Sequence, residues 1–146
     1  RKRGRHEEYP EIYWETKYGF VLCVQDGFLR NTPIASIGFD IRKKHIIVRQ
    51  LQGVKGMKDC LSPIHWEQLL LRIVVKFARE LGMESVHVRS ARNSDYHPSE
   101  SPETLRGLSA EECNARVLRF HLVYDKAPQK CGFKWNEDTR THMLVL

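Results

Sequence analysis

The chain of 146 residues has no apolar run near the ~20 residues that a membrane-spanning helix requires, which excludes such a helix and any membrane role built on one. It has only four cysteines, Cys23, Cys60, Cys113 and Cys131, and no C-x-x-C pair among them. No histidine pair stands near them at zinc-finger spacing, so no metal site is expected. Three of the thiols lie in apolar contexts that suit reduced core side chains, and the expected compartment is the cytoplasm. The hydrolase pattern G-x-S-x-G, the phosphate-loop pattern G-x-x-x-x-G-K-[ST] and the zinc-protease pattern H-E-x-x-H are all absent. So are internal repeats and low-complexity tracts. Acidic residues are outnumbered, 18 against 24 Lys and Arg, leaving a net charge of +6. Most of that excess sits in Arg1, Lys2, Arg3 and Arg5. These residues lack the apolar centre of a secretory signal. Residues 1–11 are expected to form a flexible basic tail, either a solvated terminus or an arm for nucleic acid or an anionic protein assembly. The chain does not open on Met, so a processed or trimmed product is expected.

What is present is an ordinary globular mixture, 41% hydrophobic and 29% charged, in a length that suits one domain over residues 12–146. Aromatic and β-branched residues at 12–14, 19–24 and 34–41 read as strands, with a turn at Gln25-Asp26-Gly27. Arg42-Lys43-Lys44-His45 is a polar hairpin tip. Residues 46–51 form the next strand, followed by a glycine turn and then a loop over 57–61. Ser62-Pro63 reads as a helix start, with Ser as the cap and Pro at the first helical position. Trp66, Leu69, Leu70, Ile73, Val74, Phe77, Ala78 and Leu81 recur at helical spacing and form its core face, and Gly82 stops it.

Residues 85–90 alternate again, with Val86 and Val88 on one face and His87 and Arg89 on the other. Residues 94–107 hold Pro98 and Pro102 without periodicity, a long loop or lid. Ser109-Ala110-Glu111-Glu112 is a capping box. The helix after it has Val117, Leu118, His121, Leu122 and Tyr124 as buried candidates, and Pro128 is expected to interrupt it or to start a new short turn before Gly132. A hairpin over 133–146 ends the chain. The fold class is mixed α/β with α+β character, and the strands at 46–51 and 85–90 are parallel neighbours joined by a right-handed helical crossover.

The order strand, glycine turn, long helix, strand ending in Asn93, later helix and Cys131-Gly132-Phe133 resembles the GNAT-type N-acyltransferase superfamily. The resemblance spans residues 34–146. It implies a central, mostly antiparallel sheet with one parallel, splayed strand pair and helices on its faces. It also implies acetyl-coenzyme A or another acyl-coenzyme A as cofactor, held in the splay. The cofactor's pyrophosphate would sit on the turn Gln50-Leu51-Gln52-Gly53-Val54-Lys55-Gly56, near a helix N-terminus, with Asn93 as a further contact. In this turn the second glycine comes one residue later than in the family pattern, and about six residues separate Gly56 from Ser62.

The implied reaction moves an acyl group to an amine on a small molecule or a protein. The tyrosine that often protonates the departing thiolate has its place at Pro128 here, so Tyr124 is the substitute acid. His87 is the preferred base, with His121 and Asp40 as alternatives. The competing reading is a non-catalytic module of the same fold. Arg42, Lys43, Lys44, Arg49, Arg89 and Arg92 would then lie on one side of the sheet and bind RNA, DNA or a protein partner.

Overall fold

The computed structural model describes residues 4–5, 8–26, 30–94 and 105–146. Two short strands, β1 (Gly4–Arg5) and β2 (Tyr13–Trp14), pair antiparallel. The expected tail therefore includes paired backbone, and Ile12 beside it is wholly buried. Arg1, Lys2 and Arg3 lie outside the described residues, as do Gly27 and residues 95–104 of the expected loop.

Three long antiparallel strands follow: β3 (Tyr18–Asp26), β4 (Arg30–Arg42) and β5 (His45–Gly53). Arg42 pairs with His45, so the basic tip is a two-residue turn in which Lys43 takes φ 53. After β5 come α1 (Lys58–Leu61), a 3₁₀ turn (Ser62–Ile64) and α2 (Trp66–Glu80). β6 (Ser85–Arg89) runs parallel to β5. The chain then passes through α3 (Ala110–His121), a π-helical turn (Leu122–Lys126), α4 (Ala127–Lys130), β7 (Lys134–Asn136) and β8 (Thr141–Val145). The main sheet has the order β3-β4-β5-β6-β8-β7, with β5–β6 as its parallel pair. The class is thus mixed α/β in one domain, as the pattern of elements implied.

One face of the sheet carries the core. Ile37, Phe39, Ile46, Val48, Val86 and Val88 are buried there, and α2 covers them with Leu70, Leu71, Val74 and Ala78. Each Val, Leu, Ile and Phe among them contributes roughly 1.5–3 kcal/mol through burial. Phe77 of α2 meets Phe20 edge-on at 5.4 Å and Phe39 at 5.9 Å between ring centroids. These contacts fix the helix across β3 and β4.

Several helical expectations need correction. The long helix begins at Trp66 rather than Pro63, and residues 58–61 are helical rather than loop. The break is His65, held at φ 45. It lets Leu61 and Trp66 both pack under Gly53, where an added Cβ would lie 3.1 Å from Leu61 and 3.4 Å from Trp66. Leu69 and Leu81 are exposed, while Leu71 and Val75 are buried, because α4 packs on α2 beside the sheet and turns the covered stripe.

Ser109 and Glu112 form the capping box, with Glu112 N–H donating to Ser109 Oγ at 3.2 Å and Ser109 N–H to Glu112 Oε2 at 2.7 Å. Yet α3 buries no residue, and Leu118 and Leu122 are 61% and 52% exposed. Of the two expectations for Pro128 the structure shows the second: it stands in the first turn of the short α4, before Gly132, and the helical run continues through it. The preceding π turn pairs Ala127 N–H with Leu122 O, a wider spacing that absorbs the proline's missing donor. The four cysteines are free; Cys60 is exposed and the others are half-buried, so none sits fully in the core. No helix among the described residues is long and apolar enough to cross a membrane.

Candidate functional site

The residues marked out from sequence fall into two places. One is the gap where β5 and β6 part. Their pairing runs only from His45↔Ser85 to Val48↔Val88, although β5 continues to Gly53. The cause lies on the other side of β5. Phe39 of β4 pairs with Val48, and Gly38 pairs with Gln50, so Arg49 is an extra, bulged residue. A bulge bends its strand and raises the local twist, which carries β5 away from β6.

Tyr124 fills this gap. Its side chain reaches in from the π turn, is 3% exposed, and accepts a hydrogen bond from Leu51 N–H at 2.9 Å. Burial pushes the phenol up to about 12, against the partial relief of that hydrogen bond, so the ring is neutral. Below it, Val54 N–H donates to Ile34 O at 2.8 Å, and Met57 N–H to Val54 O at 3.2 Å. Two backbone donors of the glycine turn region are therefore already engaged by protein. Val54 is buried, while Lys55 is exposed beside Gly56 at φ 87. Asn93, in a 3₁₀ turn after β6, donates from Nδ2 to Arg140 O at 3.1 Å and ties that turn to the β7–β8 loop.

The bulge also decides where Gln50 and Gln52 point. It puts Arg49 and Gln50 on the same side, so both glutamines face away from α2. Gln50 Nε2 donates to Tyr13 O and, at 3.0 Å, to Gln52 Oε1. Gln52 Nε2 donates to Glu11 O at 3.3 Å and its Oε1 accepts from Tyr13 N–H at 3.3 Å. The two side chains hold the N-terminal segment against the sheet. Gly19 and Gly38 permit this approach: a Cβ on either would collide with Trp14 or Thr16.

The second place is the rest of the face turned away from α2. Side chains from β4, β5, β6 and β8 surround a hollow of about 570 Å³. Arg42, Lys43, Arg49 and Arg89 supply positive charge, Asp40 supplies one negative charge, and His45 and His87 stand between them. Asp40 accepts from Arg49 at 3.3 Å and from Lys17 N–H at 3.0 Å. Of the six cations grouped from sequence, Lys44 instead pairs with Glu84 at 2.8 Å, and Arg92 borders a different hollow.

A hydrogen-bonded row crosses this face: His45 Nδ1 to Ser85 Oγ (2.9 Å), Ser85 Oγ to His87 Nε2 (2.8 Å), and His87 Nδ1 to Thr141 Oγ1 (3.0 Å). It continues from Thr141 Oγ1 to Thr139 Oγ1 (2.7 Å) and from there to Asn136 Oδ1 (3.0 Å). The far end sets the direction. Asn136 Oδ1 also accepts from Thr139 N–H at 2.9 Å, and a carbonyl oxygen only accepts. Thr139 therefore donates to Asn136, Thr141 to Thr139, and His87 Nδ1–H to Thr141.

Burial, and then the charge of His45, push His87 down, so it is neutral near pH 7 and its Nε2 accepts from Ser85. Ser85 in turn accepts from His45 Nδ1–H. The row locks both imidazoles and leaves His45 Nε2 without a hydrogen bond among the described residues.

The structure does not bring His87 and Tyr124 together. His87 pairs with Ile47, four residues before Leu51, which is roughly 13 Å along the strand. Its ring also lies on the open face, while Tyr124 comes from the helix side. The alternative base His121 is bound to Asp125, with Nδ1 to Oδ2 at 2.6 Å. Asp125 also accepts from His142 Nε2 at 3.0 Å and from Ala91 N–H at 3.1 Å. Burial alone would raise this carboxyl, but the bonds from His142, Ala91 and His121 outweigh it and hold it at about 2.

His45, Ser85, Thr139 and Thr141 were not singled out from sequence. Alternation puts His45 with Arg49, and Ser85 with His87, but only the strand register unites them with Thr141. Among the described residues no group of three or more His, Cys, Asp or Glu could hold a metal ion. Comparison with protein-family models, with curated proteins and with solved structures finds no match to this chain.

Proposed function

We propose that the chain is a binding module for nucleic acid, and that the phosphate backbone lies in the hollow on the open sheet face. The observation that carries this reading is the convergence of Arg42, Lys43, Arg49 and Arg89 on one hollow in which, among the described residues, Asp40 is the single carboxylate. A wall of low dielectric with one sign of charge concentrates the field and attracts anions. Arginine matches the geometry of phosphate oxygens, and lysine acts as a point charge. Ile47 and Met143 give the hollow an apolar floor suited to sugar and base. The locked row of His45, Ser85, His87 and Thr141 keeps the site rigid, so little side-chain ordering opposes binding.

The test is fluorescence anisotropy of a labelled single strand over a salt series. Affinity should fall linearly on a log–log plot with a slope of about −2, for roughly three phosphates neutralised. Saturable binding with no salt dependence, or no binding at low salt, would remove the reading; equal binding of an acidic peptide would point to a protein partner instead.

A second reading keeps the N-acyltransferase with an acyl-coenzyme A cofactor, in active or degenerate form. Parting of β5 and β6 after Val48 and Val88 favours it. Tyr124 in the gap, the engaged N–H groups of Leu51 and Val54, and the separation of His87 from Tyr124 count against it. Calorimetry with acetyl-coenzyme A decides this reading: a saturable heat supports it, and no heat at millimolar cofactor removes it.

A further inference from the structure

A second hollow, of about 400 Å³, lies at the end of β6 on the helix side of the sheet. Its lining includes Ser90, Arg92, Lys126, Gln129, Trp135 and His142. We infer that this hollow takes one unpaired nucleotide, with the base against Trp135 and the phosphate between Arg92 and Lys126. The inference deepens the nucleic-acid reading, and rests on it for the polymer but not for the nucleotide.

Three observations support it. Trp135 stands on the edge strand β7 and is 42% exposed, a large aromatic surface that no neighbour covers fully. Every base has a π face, so stacking on such a ring is tolerant of sequence. Arg92 and Lys126 are both exposed at the same hollow, and the one carboxylate there among the described residues, Asp125, is already bound by His121, His142 and the Ala91 N–H.

The third observation is an unmet hydrogen bond. The His142 side chain is 4% exposed, and its ring lies 5.3 Å from that of Trp135 at 64°. Asp125 is ionised and can only accept, so His142 Nε2–H donates to it. Nδ1 is left buried with no partner among the described residues. In the neutral ring it is an acceptor, and leaving it unpaired is unfavourable. Nδ1 is sealed from solvent, so a base in the hollow meets it with an amino or imino N–H only once the ring turns outward. A volume of about 400 Å³ falls within the ordinary range of small-ligand sites.

Trp135 also provides the readout, since Trp66 is 4% exposed and Trp14 half-buried. The full chain is titrated with a nucleoside monophosphate, a short single strand and the matching duplex, following tryptophan emission and, separately, anisotropy of labelled strands. The expected result is quenching by the single strand and by the mononucleotide, and duplex binding without quenching. Trp135→Ala should weaken single-strand affinity roughly 5- to 100-fold, and Trp135→Phe should restore most of it. Unfolding curves of both variants show whether each is folded. Strand binding with unchanged emission and unchanged Trp135→Ala affinity overturns the subsite and leaves the nucleic-acid reading standing. Quenching by the mononucleotide with no strand binding supports the hollow and overturns the polymer reading. Unchanged emission with every ligand overturns the subsite.

Discussion

The two sides of β5 have opposite characters. Toward α2 the strand delivers Ile46, Val48 and Leu51 to a buried interior, and the gap beyond Val48 is filled by the buried Tyr124 side chain. Away from α2 it delivers His45, Ile47 and Arg49 to an open, positively charged hollow. The same backbone thus makes a closed cleft and an open face, and the single extra residue at Arg49 separates the two. A cleft filled by a hydrogen-bonded side chain contributes to stability. A face lined by exposed and half-exposed cations contributes little to stability, and under the proposed function it is the binding surface.

The sharpest way to break this contrast is at Tyr124. Tyr124→Ala should cost about 3–5 kcal/mol in denaturant unfolding, because it leaves a cavity and an unpaired Leu51 N–H. A loss within the error of the measurement would mean that the gap is not part of the core. Next comes the Asp125 latch. A carboxyl held at about 2 contributes stability that is present above its unfolded value near 4 and is lost as pH falls toward 2. Asp125→Asn should therefore lower stability by about 2 kcal/mol at neutral pH and flatten the acid limb of the stability curve. An unchanged acid limb would contradict this.

Much of the closed side was readable in the sequence. Alternation at Val86 and Val88, helical spacing from Trp66 to Ala78 and the stop at Gly82 specified the parallel β5–α2–β6 unit. Serine, then glutamate three residues on, specified the cap of α3. The open side was not readable, for physical reasons. His87 meets Thr141 only through the β6–β8 register, which no local pattern encodes. The bulge at Arg49 reverses the facing of Gln50 and Gln52, and their side chains clamp residues 11–13. His65 carries the break before α2 in the left-handed region, where histidine is tolerated but glycine and asparagine are the usual signals, and Pro128 is absorbed by a π turn that its chemistry alone would not announce.

Smaller effects sharpen the open side. Arg42→Gln combined with Lys43→Asn removes two charges, and asparagine tolerates the positive φ at position 43. The pair should change stability by no more than about 0.5 kcal/mol, yet weaken single-strand affinity roughly tenfold at moderate salt and make the salt slope shallower by about 1.4. An unchanged slope would remove these residues from the interface. Smallest of all, Gln52→Ala should cost about 0.5–1.5 kcal/mol by releasing its bonds to Glu11 and Tyr13, read as earlier unfolding with nucleic-acid affinity intact.

The most direct measurement is calorimetry on one preparation of the full chain, titrated in parallel with acetyl-coenzyme A and with a short single-stranded oligonucleotide at low salt. The expected result is saturable heat from the oligonucleotide and none from the coenzyme, since the cleft is filled and the open face is charged. Saturable heat from acetyl-coenzyme A with none from the oligonucleotide would contradict that assignment and return the function to the gap between β5 and β6.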